Sequence, residues 1–127
     1  MPDYLAQRLN MVESQVRVND VTDERVQQAL RDVPRERFVP TARRTTAYAD
    51  APLQIVPGRF LLDPRSFAIR CQRAESKETD NVLDVGCATG YSSAVLSRIG
   101  AKVTGLEQDG DLVRAAVGTL PAIGAAN

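Results

Sequence analysis

Two acidic residues flank a pair of glycines in this chain, and their spacing defines the chemistry open to it. Asp84 stands just before Gly86-Cys87-Ala88-Thr89-Gly90, and Glu107 follows further on. The run Val82-Leu-Asp-Val-Gly-Cys-Ala-Thr-Gly-Tyr91 reads as a buried strand, a glycine-bearing turn and the start of a helix. Such a unit brings backbone N–H groups and a helix N-terminus to where a nucleotide-like cofactor can approach. The run Lys102-Val-Thr-Gly-Leu-Glu107 reads as the next strand. An acid at its end suits a pair of ribose hydroxyls.

The turn lacks the third glycine of the dinucleotide fingerprint. Ala88 lies between its two glycines and Tyr91 follows them, which narrows the room for a pyrophosphate. A cofactor without phosphates fits better, and S-adenosyl-L-methionine is the natural candidate. Its amino-acid end can lie against Gly86 and Gly90 while its ribose reaches Glu107. Asp84 orients the cofactor amine, directly or through water, or stands as a solvated strand-end charge or a helix-cap group. Tyr91 serves packing or ligand contact. Cys87 reads as a small apolar filler, since no neighbouring His or Lys is present to activate a thiolate.

Composition removes other chemistries. The chain has 127 residues and no histidine, so Ser-His-Asp and Cys-His catalysis are unavailable to it unaided. Two cysteines and no histidine cannot complete a structural zinc site. No catalytic side chain and no metal ligand is therefore assigned. Sixteen basic and 16 acidic residues cancel, leaving no electrostatic case for nucleic acid or an anionic membrane. No apolar run approaches the ~20 residues of a membrane helix. The start of the chain shows no signal-peptide pattern. With only Cys71 and Cys87 available, a reducing, cytoplasmic setting is expected.

The elements that must position these residues can be read from periodicity. Leu5, Leu9, Val12 and Val16 share a helical stripe, which predicts an amphipathic helix over roughly 4–18. Thr22 is placed to cap a second helix with Val26, Ala29, Leu30 and Val33 on its apolar face, ended by Pro34. Residues 34–62 read as an irregular layer with short extended pieces at 37–39 and 53–56. Asp63-Pro64 is a helix start, with Phe67, Ala68, Cys71 and Ala74 facing inward. Gly100 is placed to terminate the helix that Gly90 opens, and a third helix is expected over roughly 110–120. The order predicts an α/β fold: a helical and irregular region over 1–62, then the first part of a Rossmann-like cofactor-binding domain over 63–127. Two parallel strands only begin a doubly wound sheet. Residues 122–127 read as the approach to a third strand. The chain is thus expected to be the N-terminal portion of a longer unit, or to cover its open edge by association.

Several blocks together resemble the protein-L-isoaspartate O-methyltransferases. They are Met11-Val-Glu-Ser-Gln15, Val33-Pro-Arg-Glu-Arg-Phe-Val-Pro40, Ala47-Tyr-Ala-Asp50 and Pro52-Leu-Gln-Ile55, followed by the glycine turn and Glu107. The resemblance implies a class I S-adenosylmethionine-dependent methyltransferase fold. It implies methyl transfer to the side-chain carboxylate of an isoaspartyl residue in a damaged protein. It also assigns cofactor roles to Asp84, Gly86, Ala88, Gly90 and Glu107. Such chemistry asks mainly for proximity and alignment.

One departure bears on the acceptor. Where the family usually shows Gly-Gln-Thr-Ile-Ser-Gln-Pro, this chain reads Gly58-Arg-Phe-Leu-Leu-Asp-Pro64. Phe60 and Leu62 stand where hydroxyl residues are expected, and leucine makes no hydrogen bond. Gly58, Arg59 and Leu62 are the candidate acceptor-side residues. Arg59 can pair with a carboxylate or stand as a solvated loop charge. Two other readings stay open: a methyltransferase with a different acceptor, and a catalytically silent cofactor-binding or interaction module.

Overall fold

The computed structural model describes residues 3–100 and 102–121, so the expected third-strand approach at 122–127 lies outside the described residues. The first helix changes pitch along its length. It runs as α1 (Tyr4–Met11), widens to π-helical turns over Val12–Val16 and tightens over Arg17–Asn19. This corrects the single expected stripe. Met11, Val12 and Val16 are buried, while Leu5 and Leu9 remain exposed. The wider turn brings Val12 and Val16 onto one face, out of line with the turns before them.

Helix α2 (Glu24–Asp32) is capped by Asp23, whose carboxylate accepts from the Arg25 amide, and not by Thr22 as expected. The Thr22 and Asp23 amides instead donate to Oε1 of Gln72, a partner fifty residues away in sequence at Thr22. The piece expected to be extended at 37–39 is a 3₁₀ turn, Arg35–Phe38. Its buried side chains explain the change. Phe38 is in the core, and Glu36 accepts from the Tyr48 hydroxyl at 2.9 Å and from Arg8 at 3.1 Å. Two of the blocks noted in the sequence, at 33–40 and 47–50, thus meet in one hydrogen-bonded cluster.

Strand β1 (Leu53–Val56) lies where an extended piece was expected. It pairs antiparallel with β2 (Arg59–Leu61), which had been read as irregular. Pro57-Gly58 forms the connection, and Gly58 takes φ +78°, which favours glycine. Helix α3 (Pro64–Ala74) begins at Asp63 as expected, its carboxylate accepting from the Ser66 amide.

Strands β3 (Asn81–Val85) and β4 (Lys102–Leu106) pair in parallel, with Asp84 opposite Gly105 and Val85 opposite Leu106. Helix α4 (Tyr91–Ser97) connects them, which makes a βαβ unit. Gly100 is not a left-handed terminator: its φ is not positive, and its amide donates to Leu96. Helix α5 (Gly110–Thr119) buries Leu112 and Ala116. The opposite face of the β3–β4 pair leaves Leu83, Val85 and Leu106 exposed. No helix among the described residues is long and apolar enough to cross a membrane.

One apolar cluster joins both ends of the chain, from Met11, Leu30 and Phe38 to Tyr91, Val95 and Leu112. Each fully buried side chain of this size contributes about 1.5–3 kcal/mol. The cluster therefore fastens the N-terminal layer against α3 and α4. Arg35 passes through it, 1% exposed, donating to the Ala47 carbonyl at 2.6 Å and the Leu62 carbonyl at 2.8 Å. Its guanidinium stands 4.9 Å from the Tyr91 ring centroid. These contacts hold the end of the hairpin over the start of α4.

Candidate functional site

The turn between β3 and α4 folds back on β4. Gly86 takes φ +74°, Ala88 φ +52° and Gly90 φ +97°. A left-handed Ala is uncommon and costs of order 1 kcal/mol. The amides of Gly86 and Cys87 both donate to the Leu106 carbonyl, at 2.7 and 3.2 Å. The Gly90 amide donates to Cys87, and the Ala88 amide donates to Glu107 at 2.9 Å. These four N–H groups are thus engaged within the chain. A phosphate nest needs free amides, so the turn disfavours phosphate for a reason the missing glycine had only suggested.

Two carboxylates bracket the turn. Asp84, at the end of β3, accepts at Oδ2 from the hydroxyls of Ser92 and Ser93, at 2.6 and 2.8 Å. No donor among the described residues is bonded to its Oδ1. Glu107, just past β4, has a side chain only 1% exposed. Its Oε1 accepts from the Ala88 amide at 2.9 Å and Arg59 at 2.5 Å. Its Oε2 accepts from the Asp109 amide at 2.9 Å and Arg59 at 3.0 Å. The Arg59 hydrogen bonds, followed by the Asp109 and Ala88 amides, outweigh burial and hold this carboxyl down at about 2.

A cleft of about 380 Å³ opens beside these groups. Asp84, Gly86, Cys87, Ala88 and Tyr91 line it together with Phe60 and Leu62 of the hairpin and its exit. Phe60 is more than half exposed and Leu62 over a third, giving the cleft an apolar rim. The structure therefore gathers Asp84, Gly86, Cys87, Ala88, Tyr91 and Leu62 at one cavity. Arg59 and Glu107 form a pair at the Ala88 side. Gly58 contributes to the turn that precedes Arg59, and Gly90 begins α4 behind the cleft, where an added Cβ would stand 3.2 Å from Ala116 and Leu120. A larger surface depression, about 800 Å³, lies among Arg17, Arg25 and Arg31. Those arginines already pair with Glu13 and Asp23, and no predicted site residue lines it.

Tyr91 is 2% exposed and packs edge-on against Phe38, with centroids 5.7 Å apart. Its hydroxyl has no hydrogen-bond partner among the described residues. Burial, reinforced by the negative charge of Asp84, pushes the Cys87 thiol up, so the neutral form persists. Residue-by-residue reading had not singled out Ser92, Ser93, Asp109 or Gly105. The serines follow Tyr91 directly, and a hydroxyl pair at a helix start was the available signal. Gly105 is required because a Cβ there would stand 2.9 Å from both Cys87 Sγ and Ser93 Oγ.

Comparisons with known proteins point to one family. A sequence model of the protein-L-isoaspartate(D-aspartate) O-methyltransferase (PCMT) family matches residues 6–127. A protein-L-isoaspartate O-methyltransferase of Methylorubrum extorquens is 39% identical over 98% of this chain and 54% of its own length. One from Roseiflexus is 38% identical over 98% of this chain and 57% of its own. The chain spans about half the length of the curated relatives it matches. Among solved structures, a Plasmodium falciparum protein described as a protein-L-isoaspartate O-methyltransferase, in complex with S-adenosyl-L-homocysteine, superposes with a TM-score of 0.78. It shares 21% identity, over 92% of this chain and 56% of that one. A second solved protein-L-isoaspartate O-methyltransferase gives 0.79 at 23% identity, over 94% and 40%. These likenesses establish the fold as a partial Rossmann-like methyltransferase fold. With the family pattern matched across almost its whole length, this chain belongs to the protein-L-isoaspartate(D-aspartate) O-methyltransferase family.

Proposed function

We propose that this chain carries the S-adenosyl-L-methionine site of an isoaspartyl-type protein methyltransferase. The observation that carries the reading is the placement of Asp84 and Glu107. They stand at the ends of paired parallel strands, on either side of a turn whose amides at 86, 87, 88 and 90 are already engaged. That donor set suits a cofactor with an amine and a ribose better than one with phosphates. Oδ1 of Asp84 is free among the described residues to accept from an amine, and its Oδ2 is steadied by Ser92 and Ser93. Glu107 is the group for ribose hydroxyls. When bound, S-adenosyl-L-methionine supplies an activated methyl group. Gly86, Cys87, Ala88 and Tyr91 shape the wall it lies against. The division of labour follows: residues 1–62 cover the site, and residues 63–127 hold the cofactor.

The acceptor is a side-chain carboxylate of an isoaspartyl protein or peptide. Phe60 and Leu62 give the rim apolar surface, and alignment of the two reactants supplies much of the barrier reduction. A second reading, transfer to a different acceptor, draws on one observation. Phe60 and Leu62 present carbon to the cleft at positions where the family pattern carries hydroxyls. The two free, buried cysteines suit a reducing cytoplasmic setting.

Calorimetric titration with S-adenosyl-L-homocysteine tests the cofactor site. Binding lost in Glu107→Ala supports it, and binding unchanged by that substitution sinks it. Methyl transfer to an isoaspartyl peptide separates the acceptor readings. Transfer that is absent in the parent chain and gained in Leu62→Ser assigns the loss to Leu62.

A further inference from the structure

Glu107 has no accepting position left. A carboxylate offers about four lone-pair sites. Here four N–H groups fill them: the Ala88 and Asp109 amides and two from the Arg59 fork. A ribose diol donates two hydroxyl protons, so two of these donors must leave before it can bind. The backbone amides are built into the glycine turn and the start of α5. Arg59 is the movable member, being the tip of a long side chain that is 33% exposed.

The same guanidinium is carried on the hairpin that supplies the cleft's apolar rim. It belongs to β2, next to Phe60 and three residues before Leu62, whose side chains line the cleft. Residues 60–62 offer no hydrogen-bonding side chain, so a carboxylate entering there needs a cation from elsewhere. Arg35 is 1% exposed and committed to the Ala47 and Leu62 carbonyls. Arg70 of α3 also lines the cleft.

From this geometry we propose that Arg59 is a specificity-determining residue with two mutually exclusive partners. It holds Glu107 while the cofactor site is empty, and it turns to the acceptor carboxylate once ribose hydroxyls take its place. The proposal rests on the cofactor reading given above. Its consequence is an ordered site, in which the acceptor binds well only after the cofactor.

The test uses two probes on the chain: S-adenosyl-L-homocysteine by calorimetry, and a fluorescent isoaspartyl peptide by anisotropy, with and without the first probe. Removing a competitor tightens binding, so Arg59→Ala and Arg59→Gln are expected to bind S-adenosyl-L-homocysteine about tenfold more tightly than the parent. They are also expected to bind the peptide about tenfold more weakly in its presence. Arg59→Lys keeps the charge without the fork and is expected to fall between. A residue that merely braced the loop would weaken both ligands. Binding that needs Glu107 but is equal or weaker in both Arg59→Ala and Arg59→Gln overturns this proposal alone. Binding that is indifferent to Glu107→Ala, or absent in every form, overturns the cofactor reading and this proposal with it. Three outcomes overturn the acceptor half: unchanged peptide binding in the Arg59 variants, a loss confined to Arg70→Ala, or no peptide binding to the parent.

Discussion

Thr89 donates its hydroxyl proton to the Phe38 carbonyl at 2.7 Å, across 51 residues of sequence. Both residues are buried. The bond ties the glycine turn to the N-terminal layer, so the wall of the cleft is shared between two distant segments. Thr89→Val keeps the shape and removes the donor, leaving the Phe38 carbonyl unsatisfied. The expected loss is about 1–2 kcal/mol of unfolding free energy in a urea melt. Thr89→Ser is expected to restore most of it.

Gly105→Ala is expected to be more damaging than a surface glycine replacement. The new methyl would press on Cys87 Sγ and Ser93 Oγ, and Ser93 holds Asp84. Overpacking of this kind costs about 1–3 kcal/mol. In a Cys87→Ala background one of the two clashing atoms is gone, so the same substitution is expected to cost less. A double-mutant cycle measures the difference.

The Arg59–Glu107 pair has a pH signature. Glu107 is held at about 2 in the folded chain, below the ~4.3 of an unstructured glutamate. A depressed carboxyl stabilises the fold fully above the unfolded value. That contribution declines as pH falls toward the folded value. Stability contributed by this pair is therefore expected to fade between about pH 4.3 and 2. Carbon-13 detection of the Glu107 carboxyl is expected to give a midpoint near 2 in the parent chain. In Arg59→Ala the midpoint is expected to move upward, short of the free value because the Ala88 and Asp109 amides remain.

Neither cysteine is poised for reaction. Burial first, then the charge of Asp84, pushes the Cys71 thiol up to about 12. The same two causes raise Cys87. Iodoacetamide at pH 8 is expected to leave both unmodified in the folded chain and to alkylate both in urea. Rapid alkylation of Cys87 in the folded state would contradict its assignment as a filler.

The elements around the site were largely legible because their signals are local. Asp63-Pro64 starts α3, and the run 81–85, read as a buried strand, becomes β3 but leaves Leu83 and Val85 exposed. The second strand was expected to reach Glu107 and ends at Leu106, which frees the Glu107 side chain to cap the turn. Where reading failed, a distant partner had overridden a local preference. Thr22 lost the cap of α2 to Asp23, and its own amide turned to Gln72. Residues 35–38 coiled into a 3₁₀ turn because Phe38 is buried and Glu36 meets Tyr48 and Arg8.

By itself, the sequence determined the strand–turn–helix unit, the acids at 84 and 107, the absence of histidine chemistry and the missing hydroxyls at 60 and 62. Hydrogen bonding within a turn and the period of apolar residues depend on near neighbours, so these are written along the chain. Only the tertiary structure decided that Arg59 meets Glu107, that Arg35 staples Leu62 to Ala47, and that the turn amides are already engaged. Each of these depends on how close the fold brings groups far apart in sequence, and periodicity carries no record of that distance.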